Sequence, residues 1–89
     1  MKIVMFYELA PDGMSKVMEN YEAHGARLRE FHARGTLLMA GPLGNPPEGA
    51  LGIFTNREAA EEFVQGDPFV LNGVVGSWRL VEWQEALVP

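Results

Sequence analysis

Two apolar runs that fail to alternate constrain this chain more than any other feature. Lys2 to Leu9 reads KIVMFYEL and Thr36 to Gly41 reads TLLMAG. Both have the composition of strands and are followed by turn residues. A strand in an antiparallel sheet with one wet face alternates apolar and polar side chains. IVMFY and LLMA do not alternate, so both faces of the sheet they build need cover. The rest of the 89 residues supplies two helices, enough for one face only. The expectation is a homodimer, with the sheets of two copies packed face to face. A sheet face left to solvent is the alternative.

The remaining elements follow from punctuation and period. Ala10-Pro11-Asp12-Gly13 is a turn. A helix is expected from about Met14 to Arg34, with an inward stripe of Met14, Val17, Tyr21, Leu28 and Phe31 at three- and four-residue steps. Gly35 stops it. Gly41 to Gly49, GPLGNPPEG, reads as a loop, and Ala50 to Thr55 as a third strand. Thr55 with Glu58 has the spacing of a capping box, with Asn56 as the alternative cap. The second helix runs to about Gln65 with Ala60, Phe63 and Val64 inward. The last strand lies within Val74 to Glu85 and carries Trp78, Leu80, Val81 and Trp83. The order βαββαβ is the ferredoxin-like α+β arrangement with an antiparallel sheet, read as one domain over residues 1–89.

Composition removes several function classes. The net charge of -5 argues against binding a phosphate backbone. No basic segment precedes an apolar one, and no apolar run approaches membrane-spanning length. The expectation is a cytoplasmic protein with no membrane or nucleic-acid partner. There are no cysteines and only two histidines, which leaves little room for a metal site, and none is expected. No GxGxxG or Walker loop is present, and no cofactor is called for. Gly41 to Gly49 lacks lysine, and its prolines remove N–H groups a phosphate would use. Neither Ser15 nor Ser77 lies in a nucleophile-elbow context. Met1, Met5, Met14, Met18 and Met39 read as core filling.

Two polar residues stand out. His24 is three residues after Tyr21 and four before Leu28, so it points with them toward the sheet. A ring so placed needs partners for two nitrogens. A backbone carbonyl or water would serve. A carboxylate would also fix the tautomer and let the ring take a proton. His32 follows Phe31 and points elsewhere, toward water. Asp67 precedes Pro68, which is helix-start grammar: the carboxylate caps and proline takes the first helical position. Capping and pairing with His24 are compatible, because a carboxylate has two oxygens.

HGARLREFHARGTLLMAGPL, His24 to Leu43, followed by EEFVQGDPFVLNGVV, Glu61 to Val75, resembles the YciI-like family. That family combines a His-led helix, a strand closed by Gly-Pro and a later Asp-Pro-Phe. The resemblance runs from about Val4 to Trp83. It implies a dimeric α+β barrel of ferredoxin-like protomers, and a catalytic histidine and aspartate that fall on His24 and Asp67. It also implies a precedent in dehydrochlorination of chlorinated hydroxyquinols, with muconolactone isomerases and cofactor-free monooxygenases as structural relatives. The chain departs from the pattern at two positions. Tyr21 stands where the family has arginine, which counts against a carboxylate-bearing substrate. Gly25 stands where it often has leucine; glycine inside a helix costs about 1 kcal/mol relative to alanine. Gly25 either opens space beside His24 or lets the helix backbone approach the sheet.

The leading reading is a small cofactor-independent enzyme of lyase or isomerase type, dehydrochlorinase-like, acting on a small cyclic organic molecule. His24 is the general acid or base and Asp67 orients it. Tyr7, Tyr21, Pro42 and Phe69 are expected pocket walls. The alternatives are a ligand-binding or scaffolding barrel without chemistry, and a cofactor-free monooxygenase.

Overall fold

The computed structural model describes residues 1–89. In chain order it contains strand β1 (Lys2–Leu9), a 3-10 turn (Gly13–Lys16), helix α1 (Val17–Ala33), strands β2 (Leu37–Leu43) and β3 (Gly49–Phe54), helices α2 (Arg57–Gly66) and α3 (Pro68–Leu71), and strand β4 (Val75–Trp83). The sheet order is β2-β3-β1-β4 and every pair is antiparallel. This is the ferredoxin-like α+β arrangement the element order predicts.

β1 sits inside the sheet, and its alternate residues face opposite ways. Ile3, Met5 and Tyr7 are buried toward the helices, together with Phe31 of α1, Phe54 of β3, and Ala60, Phe63 and Val64 of α2. Phe63 is the hub of this core. Its ring meets Phe31 edge-on at a centroid distance of 5.2 Å and Phe54 at 5.5 Å. Truncating such a ring to alanine costs about 3–5 kcal/mol.

Residues directly opposite in a ladder share a face. The register therefore gathers Val4, Phe6, Met39, Leu43, Val81 and Trp83 on the face without helices. Met39, Leu43, Val81 and Trp83 are all exposed there. The missing alternation in the sequence thus corresponds to a real apolar surface on the far side of the sheet.

Several local expectations are corrected. The first helix begins at Val17, after a 3-10 turn, because the chain passes tightly under the start of β4. A Cβ at Gly13 would sit 2.3 Å from the Val74 carbonyl oxygen. The inward stripe splits. Phe31 is fully buried and Val17 and Leu28 are half-buried, but Met14 and Tyr21 are 52% and 62% exposed. The N-terminal half of α1 overhangs a cleft rather than the core. Of the five methionines only Met5 fills the core; Met1, Met14, Met18 and Met39 are exposed. β2 runs through Pro42 to Leu43, so the loop is Gly44 to Glu48. A proline is tolerated there because β2 is an edge strand. The cap of α2 is Asn56, whose side-chain oxygen accepts from the Ala59 N–H at 2.8 Å; Thr55 does not cap. Gly35, at φ 83°, ends α1 as expected, in the left-handed conformation that suits glycine. No helix is long and apolar enough to cross a membrane.

Candidate active site

Asp67 is the junction of α2 and α3. The residue before a proline is pushed out of the helical region, and Asp67 has extended dihedrals, φ -71° and ψ 121°. That break ends α2 and turns the carboxylate inward. Its Oδ1 accepts from the Phe69 N–H at 3.1 Å, which caps α3. The same oxygen lies 2.7 Å from Nδ1 of His24, and Oδ2 accepts from the Tyr7 hydroxyl at 2.7 Å. Asp67 is completely buried, and the His24 side chain is 14% exposed.

The histidine and aspartate predicted to pair are therefore in direct contact, 43 residues apart in sequence. The allocation of oxygens differs from the expected one. Cap and histidine share Oδ1, and the second oxygen serves a tyrosine that the sequence suggested only as a wall. Tyr7 donates from the middle of β1. Burial, then the charge of Asp67 and the hydrogen bond to it, raise its hydroxyl pKa well above the ordinary tyrosine range. Tyr7 is thus a neutral donor at any physiological pH. An ionised Asp67 only accepts, so Nδ1 of His24 must carry the proton it shares with Oδ1. The lone pair is then on Nε2.

Aromatic packing fixes the ring as well. Phe69 stacks on His24 with centroids 3.7 Å apart and planes 3° from parallel, and Phe63 meets it at 6.5 Å nearly edge-on. Asp67 caps the turn that presents Phe69 and also bonds the ring Phe69 covers, so three contacts converge on one orientation.

His24 opens onto a cleft of about 700 Å³ between α1 and the sheet. Tyr7, Tyr21, Pro42 and Phe69 line it. Tyr21 stands exposed at its mouth. Gly25 and Arg29 also line it; neither was expected as a site residue, and Arg29 follows Gly25 by one helical turn, the spacing that marks a shared helix face. A Cβ at Gly25 would meet only an Arg29 guanidinium nitrogen, at 3.3 Å. Gly25 therefore opens space beside His24 and does not serve a close approach to the sheet. His32 takes no part. It is exposed, as expected, and its Nδ1 is 2.8 Å from the Leu37 carbonyl oxygen, so it also tethers the end of α1 to β2.

The chemistry available is proton transfer at Nε2 of a histidine backed by a buried carboxylate, in a cleft with largely apolar walls. The comparisons agree with that fold. Residues 1–84 match the YCII-related domain. Protein YciI of Escherichia coli O6:H1 is 35% identical, with 83% of this chain and 87% of that protein covered. An uncharacterised protein of Haemophilus influenzae is 33% identical over the same shares. Among solved structures, the 5-chloro-2-hydroxyhydroquinone dehydrochlorinase of Burkholderia phenoliruptrix, in complex with 2,5-dihydroxybenzoquinone, superposes with a TM-score of 0.79. Its identity is 21%, covering 97% of this chain and 96% of that one. Rv0793 of Mycobacterium tuberculosis superposes at 0.54 with 12% identity, covering 98% and 97%. At these identities the two structures speak to the fold alone. By its sequence match over nearly the whole length, the chain belongs to the YCII-related domain family.

Proposed function

We propose that this protein is a small cofactor-independent lyase or isomerase in which His24 moves protons on a hydroxylated ring. The observation that carries the reading is the Tyr7–Asp67–His24 chain: its inner members are buried and satisfied, and its outer member opens on the cleft. In this reading Nε2 of His24 takes a proton from a ring hydroxyl and returns it to a ring carbon. Asp67 stabilises the imidazolium between the two transfers, and Tyr7 holds the second carboxylate oxygen. Such general acid–base help is worth about 10²–10⁴-fold.

Dehydrochlorination is the form of this chemistry we favour, by analogy with the Burkholderia dehydrochlorinase of the same fold. The ring hydroxyl becomes a carbonyl while the carbon bearing chlorine is protonated. The C–Cl bond then breaks, chloride leaves with its electron pair, and a second hydroxyl proton is lost. A chlorinated hydroxyquinol gives a hydroxyquinone and HCl, with no external oxidant.

The test is chloride release and quinone absorbance from 5-chloro-2-hydroxyhydroquinone, above the non-enzymatic rate. The wild type should turn it over. His24→Ala should lose at least about a hundredfold while keeping its fold. Turnover undiminished in His24→Ala would overturn the reading. Loss of stability without loss of turnover would make the pair structural, and oxygen uptake in the same cuvette would indicate a monooxygenase.

The same reading includes a dimer. The apolar far face of the sheet supports it, because an exposed contiguous apolar surface of this kind marks an interface. A second copy placed there would cover Val4, Phe6, Val81 and Trp83 and close two sheets into an α+β barrel.

A further inference from the structure

The chain has seven lysine and arginine side chains, and all but one have a partner in the fold. Lys2 pairs with Glu85 and Lys16 with Asp12. Arg27 donates to the carbonyls of Phe63 and Glu62. Arg34 pairs with Glu30 and Glu62, Arg57 donates to the Leu80 carbonyl, and Arg79 lies over the Phe6 ring. The remaining cation is Arg29, and it lines the cleft that His24 opens on.

Its guanidinium lies against Gly25. A Cβ there would lie 3.3 Å from Nη1 of Arg29, tighter than an ordinary contact, so the missing side chain lets the guanidinium lie back along α1 toward the turn that carries His24. Glycine within a helix is less favourable than alanine. Glu22 lines the same cleft, yet Arg29 forms no ion pair with it. An arginine left unpaired on an apolar wall is a ready partner for a planar anion, because its fork of N–H donors matches two adjacent oxygens.

We propose that Arg29 is the anion-recognising residue of the cleft, and that the substrate enters with an ionised oxygen on its ring. This rests on the functional reading above, and it narrows the substrate to rings that carry, beside the hydroxyl that gives its proton to His24, a second oxygen held as the anion against the guanidinium. Arg29 acts on binding and orientation, while His24 acts on the proton. Tyr21, at the mouth, offers no charge, so Arg29 supplies the cleft's positive charge.

The test compares two probes of one shape: 2,5-dihydroxybenzoquinone, an anion at neutral pH, and its neutral dimethyl ether. Dissociation constants are measured by calorimetry for wild type, Arg29→Gln and Arg29→Lys. All three are expected to fold alike, because Arg29 is exposed and bonds to nothing. The wild type should bind the anion at least about tenfold tighter than the ether, an advantage worth about 1.4 kcal/mol. Arg29→Gln should abolish that preference and leave the ether unchanged; Arg29→Lys should restore part of it, and added salt should weaken only the anion. Equal affinity of the wild type for both probes, or an intact preference in Arg29→Gln, would overturn the proposal. His24→Ala separates this outcome from failure of the catalytic reading: whatever its turnover, its preference for the anion should keep the full dependence on Arg29.

Discussion

Replacing Asp67 by asparagine removes a charge and little else, and the geometry says why. Oδ1 serves both His24 and the Phe69 N–H, at 2.7 and 3.1 Å. Asparagine must keep its oxygen at that place or lose the α3 cap, which is worth about 0.5–2 kcal/mol. Its amide nitrogen then faces Tyr7, whose hydroxyl turns to accept. The Tyr7 O–H loses its acceptor in that exchange, a cost set against no longer burying a charge, and His24 keeps its Nδ1–H tautomer. The tautomer loss that an aspartate-to-asparagine change often causes is therefore not expected here. What disappears is the attraction between carboxylate and imidazolium. At about 4 Å between charge centres and an effective dielectric of about 20, that attraction is about 4 kcal/mol, an upper bound near a thousandfold in rate. A floor of about tenfold, or 1.4 kcal/mol of barrier, allows for screening and for the surviving neutral bond. Asp67→Asn should unfold in urea within about 1 kcal/mol of wild type, because asparagine caps as well as aspartate, and should release chloride at least tenfold more slowly. A folded variant with unchanged turnover would refute the charge-stabilisation argument and leave Asp67 as the start of α3.

Three further outcomes are expected. Tyr7→Phe strands one oxygen of a buried carboxylate and should cost about 1.5–3 kcal/mol by denaturant titration, the range for hydrogen bonds to charged groups. It should also flatten the alkaline limb. The raised folded-state pKa of Tyr7 gives stability that is complete below the unfolded value of about 10 and falls by about 1.4 kcal/mol per pH unit as pH rises above it toward the folded value, because the unfolded chain there binds fewer protons. His32→Ala should lose about 0.5–1.5 kcal/mol of stability with its bond to the Leu37 carbonyl and keep full turnover; loss of turnover matching His24→Ala would contradict the assigned helix face. Light scattering at micromolar concentration should give about twice the 9.9 kDa chain mass, and Val81→Lys with Trp83→Lys should shift it to one; a stable wild-type monomer would remove the barrel.

The relation between sequence and structure is clearest at His24 and Asp67. Local grammar was enough to place each one. Helical period aims His24 at the sheet beside Leu28, and the Asp-Pro dipeptide makes Asp67 both the end of one helix and the cap of the next. The order of elements and the need for cover on both sheet faces follow in the same way, because propensity and alternation are properties of neighbouring residues. What only the tertiary structure decided is which groups from distant segments meet. Tyr7 lies 60 residues from Asp67, and no spacing rule connects a strand hydroxyl to a carboxylate between two helices; their contact depends on how the junction of α2 and α3 is brought to β1. The stripe of α1 read as uniformly inward, yet its N-terminal half overhangs the cleft, since a helix face is buried only where something lies beneath it. Gly25 and Arg29 looked like a weak point and a surface charge. They become one feature of the cleft because the fold pairs every other cation elsewhere and leaves this one against an apolar wall.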